Sequence, residues 1–316
     1  LVPLAVVLVA VYLIDRWEPE PPGLVVLALA WGAVGAIGLT LLVDFLLSIA
    51  IDPRSPLRGD AFTSVVQAPL VEEFFKGLGV FLIYVFARRA FDGPVDGIVY
   101  GALVGAGFAF TENIQYFAVS LIEGGFEETT ATFFVRGILS PFAHVMFTSV
   151  TGFALGLAAR RGYGPSAALG PGLIGLAGAV ALHALWNGSA VFGDFIPLYV
   201  TVQVPFFIAF ILGVLALRRE EARLTRARLG DYAAAGWFTP QEVNMLATGP
   251  GRRAGLAWAR TLPGDRTRIM KSFILDATRL AAARQRAISG RDPLAFEMER
   301  ELLARTAQAR ATLFAP

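Results

Sequence analysis

Residues 70–77 read LVEEFFKG. Glu72, Glu73 and Lys76 interrupt a run, roughly 61–87, that is otherwise apolar enough to cross a bilayer. A charged side chain at the centre of a membrane helix costs about 2.5–3.5 kcal/mol on insertion scales, so such residues mark function by default. The composition around this run supports the membrane reading. Of 316 residues 55% are hydrophobic and 16% charged, and the mean hydropathy is +0.60. That is far from a soluble domain and implies several spans.

Working outward, seven segments meet the requirement of about 20 apolar residues or its truncated equivalent: 1–14, 23–51, 61–87, 95–122, 132–159, 168–192 and 195–217. No signal peptide is read at the start, and 1–14 is expected to be the remainder of a first span. Glycine recurs inside the segments, as in GALVGAGFAF at 101–110, where small residues let helices approach closely. The expected fold is therefore all-α: a polytopic helical membrane bundle of about seven spans (1–217), followed by a C-terminal cytoplasmic helical domain (218–316).

The charges set an orientation. Arg16, Arg88–Arg89, Arg160–Arg161 and Arg218–Arg219 follow alternate spans, while the intervening connections are acidic or mixed. The positive-inside rule then puts the N-terminus outside and the C-terminus in the cytoplasm of a cell membrane. Residues 218–316 carry 18 basic against 10 acidic side chains. This excess is expected to attract anionic lipid; no aromatic-basic motif accompanies it, so nucleic acid is not expected as a partner. In this tail Thr239, Pro240 and Glu242 read as a capped helix start and Gly249 as its stop. It holds no histidine and no phosphate loop, and is read as regulatory or stabilising.

The chain has no cysteine, which excludes disulfides, thiol catalysis and Cys-ligated zinc. Its two histidines, His144 and His183, both fall within spans. Measured along their spans, Glu72, Glu112, His144 and His183 lie at one level, roughly 14–18 Å below the outer face at 1.5 Å per residue. Each has a companion one turn away: Glu72 with Lys76, Phe108 with Glu112, His144 with Thr148, His183 with Asn187. Asp44 and Arg136 are read as lacking such company, the first structural and the second snorkelling.

This set suits amide hydrolysis without a serine or cysteine nucleophile. A glutamate beside Lys76 can act as general base on water. A histidine can share that water or protonate the leaving amine, and His183 with Asn187 can donate to a developing oxyanion. Glutamate and histidine also ligate zinc, but H-E-x-x-H is absent and neither histidine has a second within a turn. A zinc cofactor is thus disfavoured against a metal-free glutamate site. No G-x-S-x-G occurs, and the Gly-Asp pairs at 59–60 and 193–194 lie in loops. The alternative class is a non-catalytic scaffold, or a proton- or ion-coupled transporter using the same buried groups.

These motifs resemble a known family. APLVEEFFKG (68–77) is similar to the E-E-x-x-K motif of PrsW-type intramembrane proteases. DGIVYGALVGAGFAFTENIQYF (96–117) resembles their F-x-x-x-E-N helix, which brings in Glu112 and Asn113 as supporting residues. PFAHVMFTSVTGFALG around His144, HALWNG at 183–188 and DRWEPEPP at 15–22 are similar to further family segments. The likeness covers about 10–217 and not the tail. It implies a place in the wider group of CAAX-type, glutamate-dependent membrane proteases. It also implies a single-span substrate such as an anti-sigma factor, cut near the extracytoplasmic face. By this likeness Glu72 activates water, Glu73 is second choice, and His183 and Asn187 stabilise the oxyanion. The CAAX enzymes carry F-x-x-x-H where this chain has Glu112. The water's second partner is then either His144 or Glu112, and His144 is favoured because two carboxylates at close range repel.

Overall fold

The structure, a computed structural model, describes residues 1–290 and 292–315. Among them there is no strand. The chain divides into two units, one of residues 1–159 with 165–214, the other of 160–164 with 215–315.

The first unit is built from α1 (Val2–Asp15), α2 (Pro22–Ala50), α3 (Ala68–Phe86), α4 (Pro94–Phe133), α5 (Ala143–Arg160), α6 (Pro165–Phe192) and α7 (Phe195–Ala234), whose later turns pass into the second unit. Four helical stretches are long and apolar enough to cross a membrane: Pro22–Ala50, Pro94–Arg160, Pro165–Phe192 and Phe195–Ala234. Large apolar side chains stay exposed along α2 and α7, Phe45, Ile49, Ile211 and Leu212 among them. Such surfaces suit lipid, where every backbone group must be satisfied inside its own helix.

Proline shapes these helices in a repeated way. Wider π turns occur at Thr63–Gln67, Phe134–Leu139 and Tyr199–Gln203, each ending two residues before a proline: Pro69, Pro141 and Pro205. A proline ring clashes with the carbonyl four residues back and brings no N–H, so the helix widens. Side chains bond carbonyls within these turns. The Asn187 amide donates to Ser64 O at 2.7 Å, and the Ser140 hydroxyl to Val135 O at 2.8 Å. A fourth π turn, Trp31–Ala36, is served by Thr111, which donates to Ala33 O at 2.7 Å.

Two expectations are corrected here. The acidic connection expected between the fourth and fifth spans, EGGFEE at 123–128, is helical rather than a loop, and turns at Gly125, whose φ of 70° suits glycine. The fifth span does not run unbroken from 132: Ser140–Phe142 leave the helix and α5 begins at Ala143. Proline at 141 disfavours helical backbone at 140, so His144 stands in the first turn of α5 instead of deep within a longer helix.

α4 and α5 meet backbone to backbone. Gly97, Gly101 and Gly105 repeat every four residues along one face of α4. A Cβ on Gly97 would stand 2.0 Å from Gly152 O, and one on Gly105 2.4 Å from His144 O. Between α1 and α2, the buried Glu20 accepts from Tyr100 Oη at 2.5 Å, and its backbone N–H donates to the Asp15 carboxylate at 3.1 Å. Burial pushes the Glu20 carboxyl up to about 8.

The second unit is helical: α8 (Pro240–Leu246), α9 (Gly249–Thr261), α10 (Thr267–Ser289) and α11 (Pro293–Phe314) pack with the end of α7. Leu229, Phe238, Leu246, Met270, Phe273 and Leu280 form its core. The Thr239/Glu242 capping box starts α8 as expected. Gly249 does not stop that helix. It opens α9, with Thr248 as the cap accepting from Gly251 N. Asp276, 3% exposed at its side chain, accepts from Arg305 through both carboxylate oxygens.

Candidate active site

Lys76 is the hub of the first unit. Its side chain is fully buried on α3, and an ammonium has three N–H bonds to place. Three acceptors surround it: Glu72 Oε2 at 3.0 Å, Glu73 Oε1 at 2.8 Å and His144 Nδ1 at 2.9 Å. The Phe108 ring lies 3.9 Å from Nζ on another side. Helical spacing brings both glutamates to the lysine from within one helix; α5 supplies the imidazole.

These contacts fix tautomers. Lysine only donates, so His144 Nδ1 accepts and its proton sits on Nε2. Nε2 in turn lies 3.0 Å from Glu112 Oε2 on α4. His183 Nδ1 lies 3.1 Å from Glu73 Oε1 and donates to it. The second oxygen of Glu73 accepts from Thr148 at 3.0 Å. Arg136 closes the other end, bonding Glu112 through Nη2 and Asn113 Oδ1 through Nε at 2.7 Å, with its guanidinium 3.7 Å above the Tyr116 ring. Charge thus runs from Arg136 through Glu112, His144, Lys76 and Glu73 to His183 without an unpaired buried ion.

A cavity of about 720 Å³ opens against this network. Glu72, Glu112, His144, His183 and Asn187 line it, as do Arg136 and Asp44. Glu73 and Lys76 do not line it and are 0% exposed. A carboxylate that reaches the cavity can meet water; one sealed behind it can only orient its neighbours.

The structure therefore brings together Glu72, Glu73, Lys76, Glu112, His144 and His183. Asn113 reaches the group through Arg136. Asn187 lines the cavity but has one amide hydrogen committed to Ser64 O. The expected companionship of Phe108 and Glu112 takes another form, since Phe108 packs on His144 and Lys76. Glu112 and His144 are bonded partners rather than alternatives. The isolation read for Asp44 and Arg136 is corrected: Asp44 accepts from Gln67 Nε2 at 2.9 Å, and Arg136 holds Glu112. Arg136 was missed because its partners lie 23 and 24 residues earlier, beyond any helical spacing. The signal available was a lone arginine with an unmatched carboxylate, Glu112, at the same end of the neighbouring segment.

Fold and site together define a polytopic helical membrane protein with a buried glutamate–histidine–lysine centre facing a cavity whose mainly apolar wall carries a few convergent polar groups. A family model described as PrsW family intramembrane metalloprotease matches residues 20–210, well over half the chain, and the chain belongs to that family. It is similar to the Protease PrsW of Geobacillus kaustophilus, 35% identical over 147 residues, which is 46% of this chain and 59% of the relative. The Protease PrsW of Bacillus subtilis is 33% identical over 147 residues (46% and 61%), and that of Oceanobacillus iheyensis 32% over 148 residues (47% and 62%). The match thus spans about three fifths of the length of these curated relatives. No solved structure matches the chain.

The family description includes a metal, and the donors can be tested for one. Glu72, Glu73, His144 and His183 offer ligand atoms all within 4.8 Å of one another, a chemically suitable set for zinc. Three of those four groups, however, converge on Lys76 Nζ. Zinc bonds such atoms at about 2.0–2.2 Å, so an ion on Glu73 Oε1 would stand within about 5 Å of the ammonium by simple distance addition. Like charges that close in a dry interior repel strongly. With Lys76 charged and in place, the centre does not fit a metal.

Proposed function

We propose that the chain is an intramembrane endopeptidase, with Glu72 activating a water molecule against a peptide bond of a single-span membrane protein. The observation that carries this is the convergence of Glu72, Glu112, His144 and His183 on one cavity, with Glu73 and Lys76 sealed behind them. In this reading Glu72 takes a proton from water as the oxygen attacks the carbonyl carbon, then passes it to the leaving amine. His183 can donate to the oxyanion from Nε2 only as imidazolium. Asn187 contributes its remaining amide hydrogen. Both His144 nitrogens are engaged, Nδ1 by Lys76 and Nε2 by Glu112, so His144 orients the group rather than bonding the water as expected. Glu73 and Lys76 act by positioning.

Family membership supports the substrate class, with a membrane-anchored anti-sigma factor as its proposed example. The alternation of arginines in the connections supports seven spans, N-terminus outside and C-terminus cytoplasmic in a plasma membrane. The basic second unit is proposed to meet anionic lipid; exposed Arg253, Trp258 and Arg260 on α9 suit that contact.

The test uses detergent-purified full chain and a single-span substrate. Glu72→Gln, His144→Ala and His183→Ala are each expected to lose product fragments. Full cleavage by all three variants would remove the reading, and a pH-driven ion flux in proteoliposomes abolished by Glu72→Gln would replace it with transport.

A further inference from the structure

We propose that the Lys76 ammonium occupies the position of a metal ion at this centre, so that the chain carries a built-in organic cation where its family description expects a metal. The inference rests on the reading above that this cluster is the working site, but its test does not depend on turnover.

Three observations carry it. The four candidate ligands are already gathered, all within 4.8 Å, by four points of the chain on three helices. Lys76 Nζ sits among them with all three of its hydrogens placed, on Glu72, Glu73 and His144. Finally, two of the ligands are oriented from behind, as metal ligands are: Glu112 holds His144 Nε2 and Thr148 holds Glu73 Oε2. A cation is needed there, because two buried carboxylates without one would not both stay charged. The lysine supplies a single charge tethered to α3 and buried completely. It can neutralise and orient but offers no open coordination position to a substrate carbonyl. Lys76 is therefore a positioning residue.

The experiment measures metal content and cobalt absorption on full chain purified in detergent, after incubation with zinc or cobalt and removal of excess. Wild type is expected to retain no stoichiometric metal and to show no tetrahedral cobalt spectrum. Lys76→Met removes the ammonium and keeps the donors; it is expected to gain about one metal per chain, with the spectrum of a mixed nitrogen–oxygen site. Adding His183→Ala to Lys76→Met is expected to abolish that gain, which ties the metal to this cluster. Should Lys76→Met not fold, Lys76→Gln serves, since it is neutral and still a donor. One tightly held metal per wild-type chain overturns the proposal. So does a folded Lys76→Met or Lys76→Gln that binds none. If wild type holds no metal yet cleaves no substrate, the proposed activity fails while this inference stands.

Discussion

Lys76 and Arg305 are both cations that meet buried carboxylates, and they do so in opposite ways. Lys76 is wholly enclosed, shared among two glutamates and an imidazole, beside a cavity. Arg305 is 49% exposed and gives both of its bonds to one carboxylate, Asp276. A two-pronged pair at a helix surface staples α10 to α11 and asks for nothing else. A single ammonium divided among three acceptors stabilises poorly for its desolvation cost, and such arrangements are kept for chemistry.

The largest effect expected from this contrast is on turnover. Glu72→Gln should lower cleavage by about 10²–10⁴-fold, the scale of a lost general base. Asp276→Asn should leave cleavage unchanged, with product fragments followed by gel and mass spectrometry. Equal loss in both variants would erase the distinction. Next comes Glu73→Ala. It takes one of three acceptors from Lys76 and the Nδ1 partner from His183 in the interior, and should cost about 3–5 kcal/mol in thermal or denaturant unfolding. A smaller loss would mean that Lys76 finds solvent. Glu20 extends the comparison to a buried carboxylate bonded by a phenol. Its folded pKa, about 8, is raised above the ordinary 4.5, so the folded form holds the proton more tightly. That contribution is fully present below about pH 4.5 and is lost as pH rises through about 8. Glu20→Gln should flatten the slope of stability against pH in that window. Smallest is Asp276→Ala, about 1–3 kcal/mol of unfolding free energy in the second unit, because Arg305 can turn to water.

Much of the centre is legible in the sequence. Two carboxylates and an amine at i, i+1 and i+4, and two histidines both within apolar runs, leave few uses in lipid. Helical spacing alone puts Glu72, Glu73 and Lys76 within reach of one another. The sequence could not show which carboxylate meets the cavity, since Glu72 and Glu73 are adjacent and of one type; packing against His183 and Thr148 decides it. The position of His144 differs from the expected one because apolar character continues through 132–142 while the helical backbone does not. Pro141 carried that information, as Pro69 and Pro205 did for their π turns. Hydropathy reads side chains, whereas proline acts through a missing N–H. Arg136 and Asp44 lay beyond local reasoning, for their partners come from other helices.

The glycine contacts between α4 and α5 bear on how the centre meets a changing bilayer. With Gly97 and Gly152 touching through main-chain atoms, the two helices form one plank that has no slack to slide or splay. A thicker or thinner membrane that tips one must tip the other with it. The bond from Glu112 to His144 spans that joint, so the seam that joins the helices also holds the two groups in register.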